Sequence, residues 1–124
     1  MNEALLYVGS GLIFVWGVAH IVPTRPVVRG FGEISEENRR IITMEWIAEG
    51  LTLCFIGALV LLLTAFKGAQ SAACIFVYRA AAVMLLIMAG LTAATGARTS
   101  IVAIKICPFV KTAVAVLFIL GSAL

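Results

Sequence analysis

Residues 41–66 read IITMEWIAEGLTLCFIGALVLLLTAF, and this stretch decides the fold. From Gly50 to Phe66 it carries no charged side chain. A helix of about 20 apolar residues is long enough to cross the ~30 Å hydrocarbon core of a bilayer. The stretch therefore predicts a membrane-spanning helix that carries two glutamates, Glu45 and Glu49, in its first half.

Three further apolar segments flank this one. The first runs from Leu5 to Val22 without an ionised side chain and ends at Pro23. It lacks the basic start and small-residue cleavage site of a signal peptide, so we expect it to persist as a span. The sequence predicts a single all-α domain over 1–124, an integral membrane up-and-down four-helix bundle. Its predicted spans cover about 4–22, 41–66, 71–95 and 101–124.

Composition supports this class. The 124 residues are 63% hydrophobic and 12% charged, and the mean hydropathy is +1.15, all outside the range of ordinary soluble domains. The chain has no aspartate, no phosphate loop and no nucleophile elbow, which removes most soluble-enzyme templates. No basic stripe lies on a polar face, so we expect no nucleic-acid partner. Cys54, Cys74 and Cys107 are interpreted as small packing residues.

The longest polar connection is 23–40, PTRPVVRGFGEISEENRR, which is predicted as a cytoplasmic loop. Ser35 precedes two glutamates and predicts a helix start near residue 36, because its hydroxyl can cap free amide groups. Lys67, Gly68 and Gln70 predict a tight turn between the second and third spans. We expect those two spans to pack closely through small residues, and the candidates are Gly50 with Gly57, Ala89 with Ala93, and Gly90 with Ala94.

Basic residues in the connections predict the orientation. Six of them lie in the first and third connections: Arg25, Arg29, Arg39, Arg40, Arg98 and Lys105. The second connection has Lys67 alone, and the two tails have none. By the positive-inside rule, loops one and three lie in the cytoplasm and both termini lie outside, in a multi-pass protein of the cell membrane.

Ionisable side chains inside spans cost about 2.5 kcal/mol or more at mid-membrane, so each one needs a partner or a function. The candidate ligand-binding residues are His20, Glu45, Glu49, Arg79 and Lys111. At 1.5 Å per residue, all but Arg79 fall within roughly 15 Å of the cytoplasmic boundary, where they can meet. Arg79 enters from the other side and is expected to lie too far away to touch them directly.

Two other interpretations of these residues stay open at this point. Glu45 can face the lipid headgroups while Lys111 extends to the surface, which makes both residues interfacial anchors. A metal site of His20, Glu45 and Glu49 is less favoured, because the chain has one histidine and no His-x-x-Glu spacing. Trp16 and Trp46 lie at the same level, as tryptophans at a membrane interface do.

Three segments resemble the DoxX-like superfamily of small four-span membrane proteins. They are GSGLIFVWGVAHI (9–21), EWIAEGLTLCFIGALVLLL (45–63) and YRAAAVMLLIMAGL (78–91). The resemblance implies a four-span fold. It also implies either an accessory role in a membrane redox complex or a role that is not assigned.

The sequence leaves three function classes. In the first, the protein binds a small amphipathic or cationic ligand, or a lipid or quinone head group. Glu45 and Glu49 are then acceptors, Lys111 or Arg79 is a counter-charge, and His20 exchanges protons or forms a hydrogen bond. In the second, it is an accessory subunit that packs against a membrane partner or a second copy. In the third, it is a membrane enzyme or redox subunit. The pattern names no cofactor.

Overall fold

The computed structural model describes residues 1–66 and 70–124, and in these ranges the chain is helical. Its helices are α1 (Glu3–Ile21), α2 (Thr24–Arg29), α3 (Glu36–Ala65), α4 (Ala72–Ala94) and α5 (Val102–Ala123), with a short 3-10 turn at Gly96–Arg98. Of these, α1, α3, α4 and α5 are long and apolar enough to cross a membrane. The all-α prediction with four such helices is confirmed. The predicted turn at Lys67 and Gly68 lies outside the described residues.

Side-chain caps fix the starts of α3 and α4. The Ser35 hydroxyl accepts a hydrogen bond from the Asn38 amide at 3.1 Å, which confirms the predicted start of α3. Ser71 caps α4 in the same way, through the amide of Cys74 at 3.2 Å. Each cap satisfies an amide that has no partner within its own helix.

The short helix α2 lies inside the connection that was predicted as a loop. Pro26 falls in the first turn, where a missing backbone N–H costs nothing. Val28 is buried, and α2 packs against α3. Burial of one apolar side chain therefore adds a helical turn to a segment that contains two prolines.

Helix α1 runs antiparallel to both α3 and α5. On α1 and α3, Ser10 lies against Gly57 and Gly17 against Gly50. On α1 and α5, the Asn2 amide donates to the Gly121 carbonyl oxygen at 2.9 Å. We call the end of the bundle that holds 22–35 and 95–101 the charged end, and the opposite end, with both chain termini, the terminal end.

The prediction that the second and third spans pack closely is wrong. The main helix contacts join α1 with α3, α4 with α5 and α1 with α5, whereas α3 and α4 touch sparsely. The glycines explain why: a Cβ on Gly57 would lie 2.7 Å from the Ser10 carbonyl oxygen, so Gly57 faces α1 and not α4. Thr64 and Tyr78 join α3 to α4 near the terminal end, through hydroxyls 3.2 Å apart.

We expect Gly17→Ala to lower the free energy of unfolding by about 1–3 kcal/mol, the range for overpacking. A Cβ on Gly17 would lie 2.7 Å from the backbone carbonyl oxygen of Gly50, which cannot move aside without shifting α3. On the same helix, Gly11 has open space around it, so Gly11→Ala is the matched control and should be neutral or stabilising. Unfolding in mixed micelles, followed by circular dichroism, measures both; equal losses would contradict the packing described here.

Candidate functional site: a cavity between α3 and α4

A cavity of about 780 Å³ lies at the charged end, where α3 and α4 stand apart. Small-molecule sites in proteins have volumes of roughly 300–1,000 Å³. The walls are mostly apolar and come from all five helices, with Met84, Met88 and Leu91 on α4 facing Glu45, Glu49 and Thr52 on α3. The sparse contact between α3 and α4 is what leaves this space.

An ion pair lies beside the cavity. The Lys111 ammonium donates to Glu49 Oε1 and, at 2.9 Å, to the Thr92 hydroxyl oxygen. Thr92 in turn donates its hydroxyl hydrogen to the Met88 carbonyl oxygen at 2.9 Å, which leaves a lone pair for Lys111. Lys111 thus joins α5 to both α3 and α4.

Lys111 is fully buried, with 0% of its side chain exposed, so it is not an interfacial anchor. It lies nine residues into α5, about 14 Å along the helix axis. Side chains on a helix lean toward its N-terminus, which for α5 is at the charged end. The ammonium therefore reaches the level of Thr92, near the C-terminus of α4.

His20 is fixed by Trp46. The two rings stack with centroids 4.0 Å apart, and the Trp46 indole N–H donates to the His20 carbonyl oxygen at 2.7 Å. His20 Nε2 lies 3.7 Å from Glu49 Oε2, and the histidine side chain is 9% exposed. Within the part of the chain that the structure describes, this nitrogen has no hydrogen-bond partner. Surrounding protein atoms cover this nitrogen, so His20 packs behind Glu49 and does not open to the cavity through Nε2.

The second tryptophan is fixed as well. The Trp16 indole N–H donates to Cys107 Sγ at 3.3 Å, and both residues line the cavity. Trp16 lies one turn before His20 on α1, and Trp46 lies on α3. Their indole N–H groups bond within the protein, so the two rings form a fixed aromatic wall.

The charge that faces the cavity is negative. Glu49 is 32% exposed, Glu45 is exposed at the rim, and Lys111 is fully covered. No cation of residues 1–66 or 70–124 forms an ion pair with Glu45. A molecule in the cavity therefore meets two carboxylates and no accessible ammonium.

The structure brings together three of the five candidate residues: His20, Glu49 and Lys111. Glu45 lines the same cavity without joining their contacts. Arg79 is exposed and lies 13 residues before Thr92 on α4, about 20 Å along the helix, so it does not take part. No three metal-ligating side chains gather in the described ranges, and His20, Glu45 and Glu49 do not form such a group.

Sequence reasoning missed two contacts. The hydrogen bond from Lys111 to Thr92 depends on which helices pack together. The only sequence signal for it is a hydroxyl-bearing residue near the end of an apolar helix. The stack of Trp46 on His20 had a clearer signal, because Trp46 is three residues before Glu49 and shares its helix face.

No protein-family model, curated protein or solved structure matches this chain. The resemblance to DoxX-like proteins therefore stays a prediction.

Proposed function

We propose that this protein spans the membrane four times and binds a small amphipathic amine in the cavity between α3 and α4. One observation carries the proposal: two glutamates face the cavity, whereas the lysine that neutralises one of them is buried. Lys111 neutralises Glu49, so the unpaired carboxylate of Glu45 gives the cavity a net negative charge, which favours a cation over an anion or a neutral head group.

The apolar walls support an amphipathic ligand. Methionines at Met84 and Met88 adapt to irregular ligand shapes, because the thioether side chain is unbranched and flexible. The rings of Trp16 and Trp46 add large apolar surfaces, and tryptophan faces attract cations. An alkyl or aryl tail would lie against these walls with its amine near α3.

Each polar residue then has a defined role. An ammonium has three N–H donors. Glu49 Oε2 and the two carboxylate oxygens of Glu45 supply three acceptors for them. Lys111 acts as a positioning residue, since it holds Glu49 Oε1 and leaves Oε2 toward His20.

We further propose that the charged end faces the cytoplasm. The support is the excess of basic residues in the first and third connections, which favours the cytoplasmic side. Both termini share the opposite end, as expected for an even number of crossings. The cavity would then open near the cytoplasmic surface.

The test is a titration in lipid nanodiscs with decylamine, decanol and decanoate, which share one tail length and differ in head group. Trp16 and Trp46 are the only tryptophans and both line the cavity, so their fluorescence reports binding. We expect saturable binding of decylamine, and at least about tenfold weaker binding of the other two, a difference of about 1.4 kcal/mol. Equal responses to all three would overturn the proposal.

We expect Glu45→Gln to weaken decylamine binding about tenfold, because it removes an unpaired carboxylate from the cavity. The side chain is exposed, so the fold should survive. Glu37→Gln is the matched control, since Glu37 is exposed on the same helix and does not line the cavity. The same titration measures both variants, and an unchanged affinity in Glu45→Gln would contradict a direct contact.

A further inference from the structure

A second, smaller pocket of about 190 Å³ lies on the other face of α2. It is lined by Thr24, Arg25, Val28, Arg29, Arg39 and Thr43. We call it the arginine pocket. Pro23 and Val27 line the large cavity instead, so α2 forms a wall of both spaces.

Two helices bring the three arginines together. Arg25 and Arg29 are four residues apart on α2 and therefore share a face. Arg39 comes from the first turns of α3. The buried side chain of Val28 fixes the position of α2, the helix that carries Arg25 and Arg29.

The positive charge of the pocket is largely uncompensated. Within the described ranges, neither Arg25 nor Arg29 forms an ion pair with an acidic side chain. The nearest acid is Glu36, whose carboxylate lies 3.9 Å from Arg39 Nε but bonds Arg40 Nε more closely, at 3.0 Å. The pocket therefore favours an anion.

The chemistry of the lining fits a phosphate group. Guanidinium groups present paired N–H donors that match two phosphate oxygens at once. The hydroxyls of Thr24 and Thr43 lie in the same lining, and Thr43 donates its hydrogen to the Arg39 carbonyl oxygen at 2.8 Å. Thr24 likewise donates its hydroxyl hydrogen to the Ile21 carbonyl oxygen at 2.5 Å, so the donors for a phosphate come from the arginines.

We propose that the arginine pocket binds the phosphate of an anionic phospholipid. Val22 and Phe31, which lie two residues before and two residues after α2, are apolar and exposed. A soluble phosphate would gain nothing from these side chains, whereas lipid tails would cover them. The proposal depends on the membrane placement proposed above and is independent of amine binding.

The test compares retention of dioleoylphosphatidylglycerol and dioleoylphosphatidylcholine on the purified protein by native mass spectrometry. We expect the double variant Arg25→Gln/Arg29→Gln to retain phosphatidylglycerol about tenfold less tightly. The matched control is Arg98→Gln/Lys105→Gln, which removes the same charge from the same end outside the pocket and should leave retention nearly unchanged. Equal loss of lipid retention in the two double variants would overturn the site, because general electrostatic attraction to this end of the protein would then explain the retention.

Two further arms address the source of the phosphate and the geometry. If glycerol 3-phosphate displaces the lipid at equal concentration, the lipid assignment is overturned. If it does not displace the lipid, the assignment is supported. Arg25→Lys/Arg29→Lys keeps the charge and loses the paired donors, so it should fall between wild type and the glutamine variant. Circular dichroism checks that each variant folds. Unchanged retention in both the lysine and glutamine variants would also overturn the site.

Discussion

Glu49→Gln is expected to lower the free energy of unfolding by about 3–5 kcal/mol, the range for breaking one side of a buried ion pair. The substitution leaves the fully buried Lys111 ammonium without its carboxylate. Thr92 remains as its hydrogen-bond partner, and a hydroxyl oxygen cannot offset a full charge. Unfolding in mixed micelles measures the loss.

Lys111→Met in the same background should restore much of that stability, because the double variant buries no unpaired charge. Wild type, the two single variants and the double variant form a double-mutant cycle. We expect a coupling energy within the range of about 0.5–3 kcal/mol that residues in contact show. Glu45→Gln is the matched control for the acid, since Glu45 is exposed and forms no ion pair within residues 1–66 and 70–124. Equal losses in Glu49→Gln and Glu45→Gln would show that the pair does not stabilise the fold.

Phe118→Ala should also lower the free energy of unfolding, by about 3–5 kcal/mol, because it opens a cavity in the core. Phe118 is fully buried on α5 and packs against α1, where a Cβ on Gly9 would lie 2.8 Å from its ring. Phe109 is on the same helix and 76% exposed, so Phe109→Ala removes the same atoms from the outer face. The same unfolding assay compares them, and similar stabilities would contradict the core described here.

The sequence predicted the four long helices well, because each of them is a long apolar run bounded by polar or helix-ending residues. Ser35 marked the start of α3, since its hydroxyl serves the helix end whatever the neighbouring helices are. The distance of each residue from the end of its helix also predicted that His20, Glu49 and Lys111 lie at one level. These predictions depend on local chemistry or on distance along a helix axis.

Helix pairing was not predictable from the same information. Gly50 and Gly57 show that another backbone approaches α3, but they do not say which one, and the structure shows that it is α1. The loop prediction missed α2, because its stability comes from Val28 in a contact outside the segment. The depth argument also could not show that Lys111 is hidden from the cavity while Glu49 is open to it.

The ion pair between α3 and α5 bears on how the protein is made. Glu49 is synthesised 62 residues before Lys111, so the acid is already present when the last helix leaves the ribosome. A lone lysine at the centre of a helix entering the translocon costs about 2.5–3.5 kcal/mol. On the membrane placement proposed above, α5 should therefore insert poorly as an isolated segment and complete its passage once the earlier helices offer Glu49.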